Sequence, residues 1–163
     1  MRRSPGPRGH HVRARNSLPI DLPIIPVRFE VSPKLTKTQL NRLYFEAWPH
    51  HKAFNFTPVL KRSLCFVCAY DGKNLVGFVY LAWDGAQHAF LLEPTVTPRL
   101  RRRGIGRELV QRAVEVARSR GCEWIHVDYE VRLASFYRSC GFRPTTAGLI
   151  RLAKPKKSLP RSR

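Results

Sequence analysis

Acidic residues are scarce in this chain of 163 residues, which has 11 Asp and Glu against 30 Lys and Arg. The net charge of +19 favours anionic partners such as nucleotide cofactors, acidic peptides, RNA or anionic membrane surfaces, and it disfavours strongly cationic substrates. Long apolar runs are also missing, because no segment approaches the ~18 apolar residues that a membrane helix requires. The sequence therefore predicts a protein without a membrane span, and we expect it in the cytoplasm.

Cysteines are few, and their spacing argues against a metal centre. Cys65 and Cys68 form a single Cys-x-x-Cys pair, which lies in an apolar run typical of a strand. Positions i and i+3 of a strand point to opposite faces, so the two thiols cannot easily bind one ion. We expect no metal site, and we interpret the four cysteines as unrelated reduced thiols.

Much of the positive charge lies at the two ends of the chain. Residues 1–24 hold five arginines and one acidic residue, and residues 151–163 hold six basic residues and no acidic one. Proline, glycine and arginine dominate the first segment, which is typical of disorder. The predicted organisation is a disordered basic arm at 1–24, one folded domain at 25–152 and a flexible basic tail at 153–163.

Hydrophobic periodicity divides the folded domain into strands and helices. The pattern predicts strands at 25–31, 64–70, 75–83, 89–96, 124–128 and 147–152, helices at 36–48, 106–120 and 133–139, and a loop or short helix at 50–62. Short turns join the middle strands, so these strands should form an antiparallel meander. The fold class is α+β, with a mixed central sheet of about six to seven strands and three to four helices.

The segment Arg101-Arg102-Arg103-Gly104-Ile105-Gly106 lies between a predicted strand and a predicted helix. Its glycines let the backbone approach a ligand closely. The start of the helix adds positive potential and unpaired N–H groups, and the arginines add charge that does not titrate near neutral pH. These features predict a site for a pyrophosphate.

Two other phosphate-binding patterns do not fit this loop. A dinucleotide fold needs Gly-x-Gly-x-x-Gly, and Leu109 stands at the third glycine position. A P-loop needs Gly-Lys-Ser/Thr after its glycines, and the chain lacks that sequence here. An ordinary glycine-containing turn with solvated arginines is the alternative that the loop alone leaves open.

The element order and two motifs resemble the GNAT superfamily of N-acetyltransferases over residues 25–152. Arg101-x-x-Gly104-x-Gly106 matches the family's pyrophosphate loop, Gln/Arg-x-x-Gly-x-Gly/Ala. The segment Phe136–Phe142 resembles the family's Phe-Tyr-x-x-x-Gly-Phe sequence. The resemblance implies a single GNAT-like domain that uses acetyl-CoA as its acyl donor.

The chain departs from the family pattern at two positions near the second motif. Glu130 stands where many relatives carry Asn, and Leu133 stands where many carry Ala. A glutamate would not make the same cofactor contact as an asparagine.

The resemblance also implies which residues bind acetyl-CoA. Backbone N–H groups of the loop would hold its pyrophosphate, and the arginine side chains would add charged contacts. The backbone before the loop would pair with the pantetheine arm as a further strand would, and Pro94 supports this because a proline within a strand indicates a bulge or an edge. The implied cofactor-binding residues are Thr95, Val96, Arg101, Arg102, Arg103, Gly104, Ile105, Gly106 and Arg107.

Acetyl transfer to an amine needs one group that accepts a proton and one that donates a proton. By resemblance, Tyr137 stands at the position of the general acid that protonates the CoA sulfur, with a packing role in the core as the alternative. Glu93 is the candidate general base, acting directly or through a water, because it lies in an otherwise apolar strand. Asp128 and His126 are the alternative bases.

The acceptor is less well defined by the sequence. His50 and His51 follow the first predicted helix, where the family commonly shapes its acceptor pocket, and Trp48, Phe54 and Phe56 could line that pocket or pack on the sheet. We expect an acetyl-CoA-dependent N-acetyltransferase that moves an acetyl group to a primary amine by direct transfer in a ternary complex. The amine, a small molecule or a peptide, is unidentified.

A second function stays open at this point: a basic RNA- or ribosome-associated module with a GNAT-like fold and little catalysis. The basic ends favour it, since they would neutralise phosphates. No RNA-binding signature with paired aromatic residues is visible, however, and solubilising charge explains the same ends. The sequence is compatible with a monomer or a dimer.

Overall fold

The structure is a computed structural model, and it describes residues 26–152. The predicted arm at 1–24 and tail at 153–163, which motivated the RNA-binding alternative, lie outside the described residues. In chain order the elements are β1 Arg28–Val31, α1 Lys37–Ala47, α2 Thr57–Arg62, β2 Cys65–Asp71, β3 Asn74–Trp83, β4 His88–Val96, α3 Ile105–Ser119, β5 Trp124–His126 and α4 Ala134–Ser139. Short 3-10 turns precede α3 at Pro98–Leu100 and α4 at Val131–Leu133.

The strands form one mixed sheet whose spatial order follows the sequence, β1-β2-β3-β4-β5. β1 to β4 are an antiparallel meander, and β5 runs parallel to β4. The α+β class is confirmed, but the described residues form five strands rather than six to seven. The predicted strand at 147–152 is wrong, because this segment pairs with no strand within residues 26–152, and Leu149 and Ile150 are 81% and 89% exposed.

Helices cover both faces of the sheet and divide the core in two. α3 and α4 pack on one face, against buried residues that include Val67, Leu81 and Leu91. α1 packs on the other face, against residues that include Phe78. Cys65 belongs to the first core and Cys68 to the second, so the two thiols lie on opposite faces as the strand period predicts.

Local sequence explains where α1 begins and ends. The Thr36 hydroxyl accepts a hydrogen bond from the Gln39 N–H at 3.2 Å, and the Gln39 side chain accepts one from the Thr36 N–H at 3.0 Å. This capping box satisfies two N–H groups at the helix start. The helix stops before Pro49, which cannot continue it. Its buried face consists of Leu40, Leu43, Tyr44 and Ala47.

β4 contains a bulge that re-aims its second half. Glu93 and Pro94 of β4 together face the single residue Val79 of β3. Glu93 has a φ of +56°, a left-handed conformation that is uncommon for a residue with a side chain. A bulge of this kind bends the strand and increases its twist. Proline is tolerated at a bulge because it has no backbone N–H to donate to the ladder, which explains Pro94 at this position.

β5 accompanies β4 over only three residues. Trp124, Ile125 and His126 pair with residues 88–90, and the ladder between the two strands ends there. The prediction of a strand through Asp128 is therefore too long. Beyond Phe90, β4 is paired only with β3 among the described strands. The side of the second half of β4 that faces away from β3 thus has no strand partner among the described strands, and we call this unpaired side, up to the chain that follows β5, the gap.

Gly77 of β3 allows α3 to lie close to the sheet at the start of that helix. A Cβ at this position would lie 3.0 Å from Leu109 Cδ1, 3.1 Å from Ala69 Cβ and 3.3 Å from Ile105 Cγ2. A side chain at this position therefore requires Leu109, Ala69 or Ile105 to shift. The register also pairs Gly77 with Val96 at the end of β4, so the same glycine aligns α3 with the end of β4.

We predict that Gly77→Val lowers the free energy of unfolding by about 1–3 kcal/mol, because the added methyl groups overpack the contact between β3 and α3. Urea titration measures the change. Gly148→Val is the matched control, since nothing lies within 4 Å of a Cβ at Gly148 and its φ is not positive. Equal unfolding midpoints for the two variants would contradict the close-packing role of Gly77.

Candidate active site

The predicted pyrophosphate loop connects the 3-10 turn to α3. Gly104 precedes the helix with a φ of +82°, a conformation that glycine adopts without steric cost, and Arg102 also has a positive φ of +65°. No side chain within residues 26–152 caps the start of α3. The first helical hydrogen bond runs from the Glu108 N–H to the Gly104 carbonyl. The preceding N–H groups of Ile105, Gly106 and Arg107 are thus available to an anion.

The four arginines at this loop divide into two kinds. Arg102, Arg103 and Arg107 are exposed and form no salt bridge with a described carboxylate. Arg101 instead donates from Nε to the Val96 carbonyl at 3.1 Å and from Nη2 to the Ala47 carbonyl at 3.2 Å. The first group offers free positive charge, whereas Arg101 fastens the loop to the ends of β4 and α1.

Gly106 is the point where the two sequence motifs meet. A Cβ on Gly106 would lie 3.4 Å from Phe136 Cε2 and 3.8 Å from Val96 Cγ2. The phenyl ring from the second motif therefore packs directly on the helix turn of the first, next to the end of β4. Residues 30 positions apart in sequence build one side of the gap.

The end of β4 presents one backbone N–H toward the gap. The Thr97 N–H donates to the Val76 carbonyl of β3 at 2.9 Å, so its neighbour Val96 points its own backbone groups away from β3. Consistent with this direction, the Val96 carbonyl accepts from Arg101. The Val96 N–H thus faces the gap, whereas the backbone of Thr95 faces β3.

The Thr95 side chain holds the bulge together. Thr95 is 1% exposed, and its hydroxyl donates to the Glu93 carbonyl at 3.0 Å while it accepts from Trp48 Nε1 at 3.4 Å. These bonds restrain the left-handed backbone at Glu93 and tie the end of α1 to it. Thr95, implied as a cofactor residue, thus has its hydroxyl engaged within the protein and its backbone turned toward β3.

Tyr137 is buried in the core on the α3 side, where 3% of its surface is exposed. Its ring stacks on Tyr129 at 4.5 Å between centroids and meets Phe136 and Phe142 edge-on. Burial, with smaller contributions from Cys140 and Tyr129, raises the pKa of Tyr137 to about 12. The phenol is therefore protonated at neutral pH and able to donate a proton.

Glu93 lies on the α1 side, where it lines a cleft of about 580 Å³. Tyr44 and Tyr80 also line this cleft. Burial raises the pKa of both phenols, and the charge of the Glu93 carboxylate is the second cause. Trp48, Phe54 and Phe56 form the rest of the aromatic lining. The sequence interpretation that placed these three residues around an acceptor pocket fits this geometry, and His51 joins them whereas His50 does not.

The two predicted catalytic side chains belong to opposite sides of the sheet. Tyr137 is part of the core beneath α3, and Glu93 faces the cleft beside α1. The gap between β4 and the chain after β5 is the place where the sheet is open.

Sequence reasoning missed two cleft residues, Tyr44 and Tyr80. Tyr44 has the apolar spacing of a core residue in α1, and its spacing of four from Trp48 is the signal that places it on the same side as that cleft residue. Tyr80 belongs to β3, where it pairs with Leu92 of β4 next to the bulge. No sequence signal could have identified Tyr80, because the register of a bulged strand pair is not visible in the sequence.

The alternative bases lie elsewhere. His126 stacks on Phe90, and its Nε2 lies 2.9 Å from His88 Nδ1, at the start of β4. Asp128 is exposed and lies beyond the end of β5. Neither residue lines the cleft with Glu93. Glu130, at the family's asparagine position, is exposed, and its hydrogen bond and charge interaction with Arg132 lower its pKa.

Two further observations concern the described residues as a whole. Within residues 26–152, no group of three or more His, Cys, Asp or Glu side chains is arranged to hold a metal ion. None of the helices in the same range has the length and apolar composition needed to cross a bilayer.

Comparison with curated proteins finds N-acetyltransferases. A thialysine N-epsilon-acetyltransferase of Sus scrofa is 30% identical over 78 residues, which are 46% of this chain and 45% of that protein. An uncharacterised N-acetyltransferase of Bacillus subtilis is 30% identical over 87 residues, 52% of this chain and 56% of its own. The chain thus spans about half the length of the curated relatives it matches.

Solved structures extend the similarity to the whole fold. A GNAT family acetyltransferase of Streptococcus pneumoniae TIGR4 has a TM-score of 0.69 at 23% identity, over 80% of this chain and 100% of that one. A Bacillus subtilis acetyltransferase in complex with CoA has a TM-score of 0.59 at 24% identity, over 74% of this chain and 79% of that one. At these identities the structures establish the fold alone.

The acetyltransferase (GNAT) family model matches residues 35–142, which include α1, the bulged β4, the pyrophosphate loop and the Phe-Tyr segment. These are the elements that surround the gap and the cleft. The chain therefore belongs to the GNAT acetyltransferase family.

Proposed function

We propose that this protein is an acetyl-CoA-dependent N-acetyltransferase that transfers the acetyl group directly to a primary amine in a ternary complex. The observation that carries the proposal is the gap beside β4. An uncapped start of α3 and the Val96 N–H border it, Glu93 faces the cleft on one side of the sheet, and the Tyr137 phenol lies on the other.

The residues around the gap suit the chemistry of CoA. The N–H groups of Ile105, Gly106 and Arg107 would bind pyrophosphate oxygens, and the side chains of Arg102, Arg103 and Arg107 would add charge-assisted contacts. The Val96 N–H would donate to the pantetheine arm as one strand does to another. Arg101 would act by holding the loop in place, since its guanidinium already bonds two backbone carbonyls.

The proposed reaction needs two proton movements. When bound, acetyl-CoA supplies an acetyl group on a thioester, so that an N–C bond forms as the C–S bond breaks. Glu93 would accept the proton that the amine loses, directly or through a water. Tyr137 would donate a proton to the departing sulfur, and its raised pKa keeps the phenol protonated until that step.

The names of similar proteins support this proposal. One curated relative acetylates an amino nitrogen according to its name, and one structural neighbour was solved in complex with CoA. Both statements belong to those proteins. They favour acetyl-CoA as the acyl donor and an amine as the acceptor for this chain, without specifying the amine.

We predict that the double variant Arg103→Gln/Arg107→Gln weakens acetyl-CoA binding by roughly 100-fold or more, because two charge-assisted hydrogen bonds are lost and each contributes about 1.5–3 kcal/mol. Titration calorimetry measures the Kd. Arg118→Gln is the control, since Arg118 is an exposed arginine at the far end of the same helix. Equal affinity in all three proteins would refute the pyrophosphate assignment.

We predict that Glu93→Gln and Tyr137→Phe each lower kcat by roughly 100-fold or more, the usual contribution of a general base or acid, and leave the Kd for acetyl-CoA nearly unchanged. Release of free thiol measures kcat, with the best acceptor from a panel of primary amines. The loss in Glu93→Gln should diminish at high pH, where more of the amine is already deprotonated.

Two conservative variants serve as controls for these substitutions. Glu115→Gln changes an exposed carboxylate on α3, and Tyr70→Phe removes a hydroxyl from a tyrosine on β2 that does not line the cleft. Both should keep the kcat of the unchanged protein. If Glu93→Gln or Tyr137→Phe also keeps that kcat, the role assigned to that residue is wrong.

A further inference from the structure

The lining of the cleft beside Glu93 is mostly aromatic. Five of its side chains are aromatic, and Glu93 is the only acidic residue among those that line it. Trp48 and Phe54 are 45% and 52% exposed, so a substantial area of ring surface faces the solvent at the cleft. Exposed aromatic surface that borders a concave site is typical of a place where a ligand covers it.

The aromatic wall is held in position before any ligand arrives. Asn41 on α1 donates from its amide nitrogen to the Phe54 carbonyl at 2.9 Å, and its amide oxygen accepts from the Phe54 N–H at 2.8 Å. The same oxygen lies 2.9 Å from His51 Nε2, which must therefore carry the proton and donate. These bonds pin the segment after α1, so the rings do not have to be ordered by the ligand.

The rings also support one another. Phe56 lies between Tyr44 at 5.0 Å and Phe54 at 4.9 Å between ring centroids, with the Phe54 ring meeting it edge-on. Such pairs restrict the rotation of each ring. The cleft therefore presents a preformed surface suited to a flat or cyclic apolar group.

The inner end of the cleft is polar. The Tyr44 hydroxyl is buried and has no hydrogen-bond partner among the described residues, although Tyr44 itself is only 4% exposed. Together with burial, which is the larger cause, the charge of the Glu93 carboxylate raises the pKa of the phenols of Tyr44 and Tyr80. A buried hydroxyl without a partner is costly, and an amino group beside Glu93 would supply one.

The charged residues of the cleft also limit how many positive charges a ligand can carry. One carboxylate in the cleft can pair with one ammonium group, and Lys52, which also lines the cleft, would repel a second cation. The whole chain has a net charge of +19. A polyamine is therefore disfavoured at long range and within the cleft, and a hydrophilic aminosugar would leave the rings uncovered.

We propose that the acceptor is a primary amine with a single positive charge attached to an apolar, preferably aromatic, body. The amino group lies beside Glu93 and Tyr44, and the body covers Trp48 and Phe54. This inference rests on the proposed function, because it names the acceptor of the same reaction. It makes Phe54 a specificity-determining residue, whose ring contacts the acceptor and not the cofactor.

The test compares four amines with acetyl-CoA as the donor: phenethylamine, hexylamine, 1,6-diaminohexane and glucosamine. We expect kcat/KM to be highest for phenethylamine, lower for hexylamine, and at least about tenfold lower again for the diamine and the aminosugar, because the last two lose ring contacts or add a repelled charge. A diamine or aminosugar that matches phenethylamine would overturn the inference.

Matched variants locate the recognition within the cleft. Phe54→Ala should raise the KM for phenethylamine by about tenfold through the loss of an aromatic contact, with the KM for acetyl-CoA unchanged. Phe90→Ala is the control, because Phe90 is similarly exposed, at 44%, but lies on the first half of β4 against His126. Equal effects of the two variants would overturn the assignment of Phe54.

A separate binding measurement distinguishes the two levels of the proposal. If acetyl-CoA binds and another amine of the panel is acetylated but phenethylamine is not, the acceptor class is wrong and the proposed function stands. If acetyl-CoA itself does not bind, the proposed function fails, and the acceptor class fails with it. Quenching of tryptophan fluorescence by phenethylamine, lost in Trp48→Phe, reports occupancy of the cleft independently of turnover.

Discussion

The extra residue at Glu93 and Pro94 is the constraint on which the rest of this molecule depends. It bends β4 away from regular pairing, and β5 stays beside β4 only as far as Phe90. The left-handed backbone at Glu93 costs on the order of 1–3 kcal/mol, and the hydrogen bonds through Thr95 to Trp48 restrain it. The result is a sheet whose ladder between β4 and the edge strand β5 is open along the second half of β4.

Both faces of the sheet contribute to that opening. On one face, Gly77 lets α3 approach closely, so the helix start lies next to the end of β4, and Phe136 packs on it. On the other face, α1 and the pinned segment after it build the aromatic cleft around Glu93. Arg101 joins the two sides, because its guanidinium bonds the ends of β4 and α1. Membership of the GNAT family agrees with this arrangement.

Much of this architecture could be predicted from the sequence, and the exceptions have physical reasons. The glycine-arginine loop, α3 and the β2–β3 hairpin carry local signals, and each was predicted within a few residues. The length of β5 and the absence of pairing at 147–152 depend on which backbone groups find partners, which is a tertiary property. Tyr80 lines the cleft next to the bulged register of β3 and β4, and the Arg101 side chain bonds the Ala47 carbonyl, which lies 54 positions away in sequence. Composition alone could not reveal either arrangement.

Amide hydrogen exchange at Val96, followed by NMR with and without acetyl-CoA, tests the central claim most directly. The Thr97 N–H is already bonded to β3 and serves as the internal reference. The account predicts that the Val96 amide exchanges quickly in the free protein and at least about tenfold more slowly when acetyl-CoA is bound, while Thr97 changes little. A Val96 amide that is protected without ligand, or unaffected by saturating acetyl-CoA, would contradict the proposal that the open side of β4 receives the cofactor.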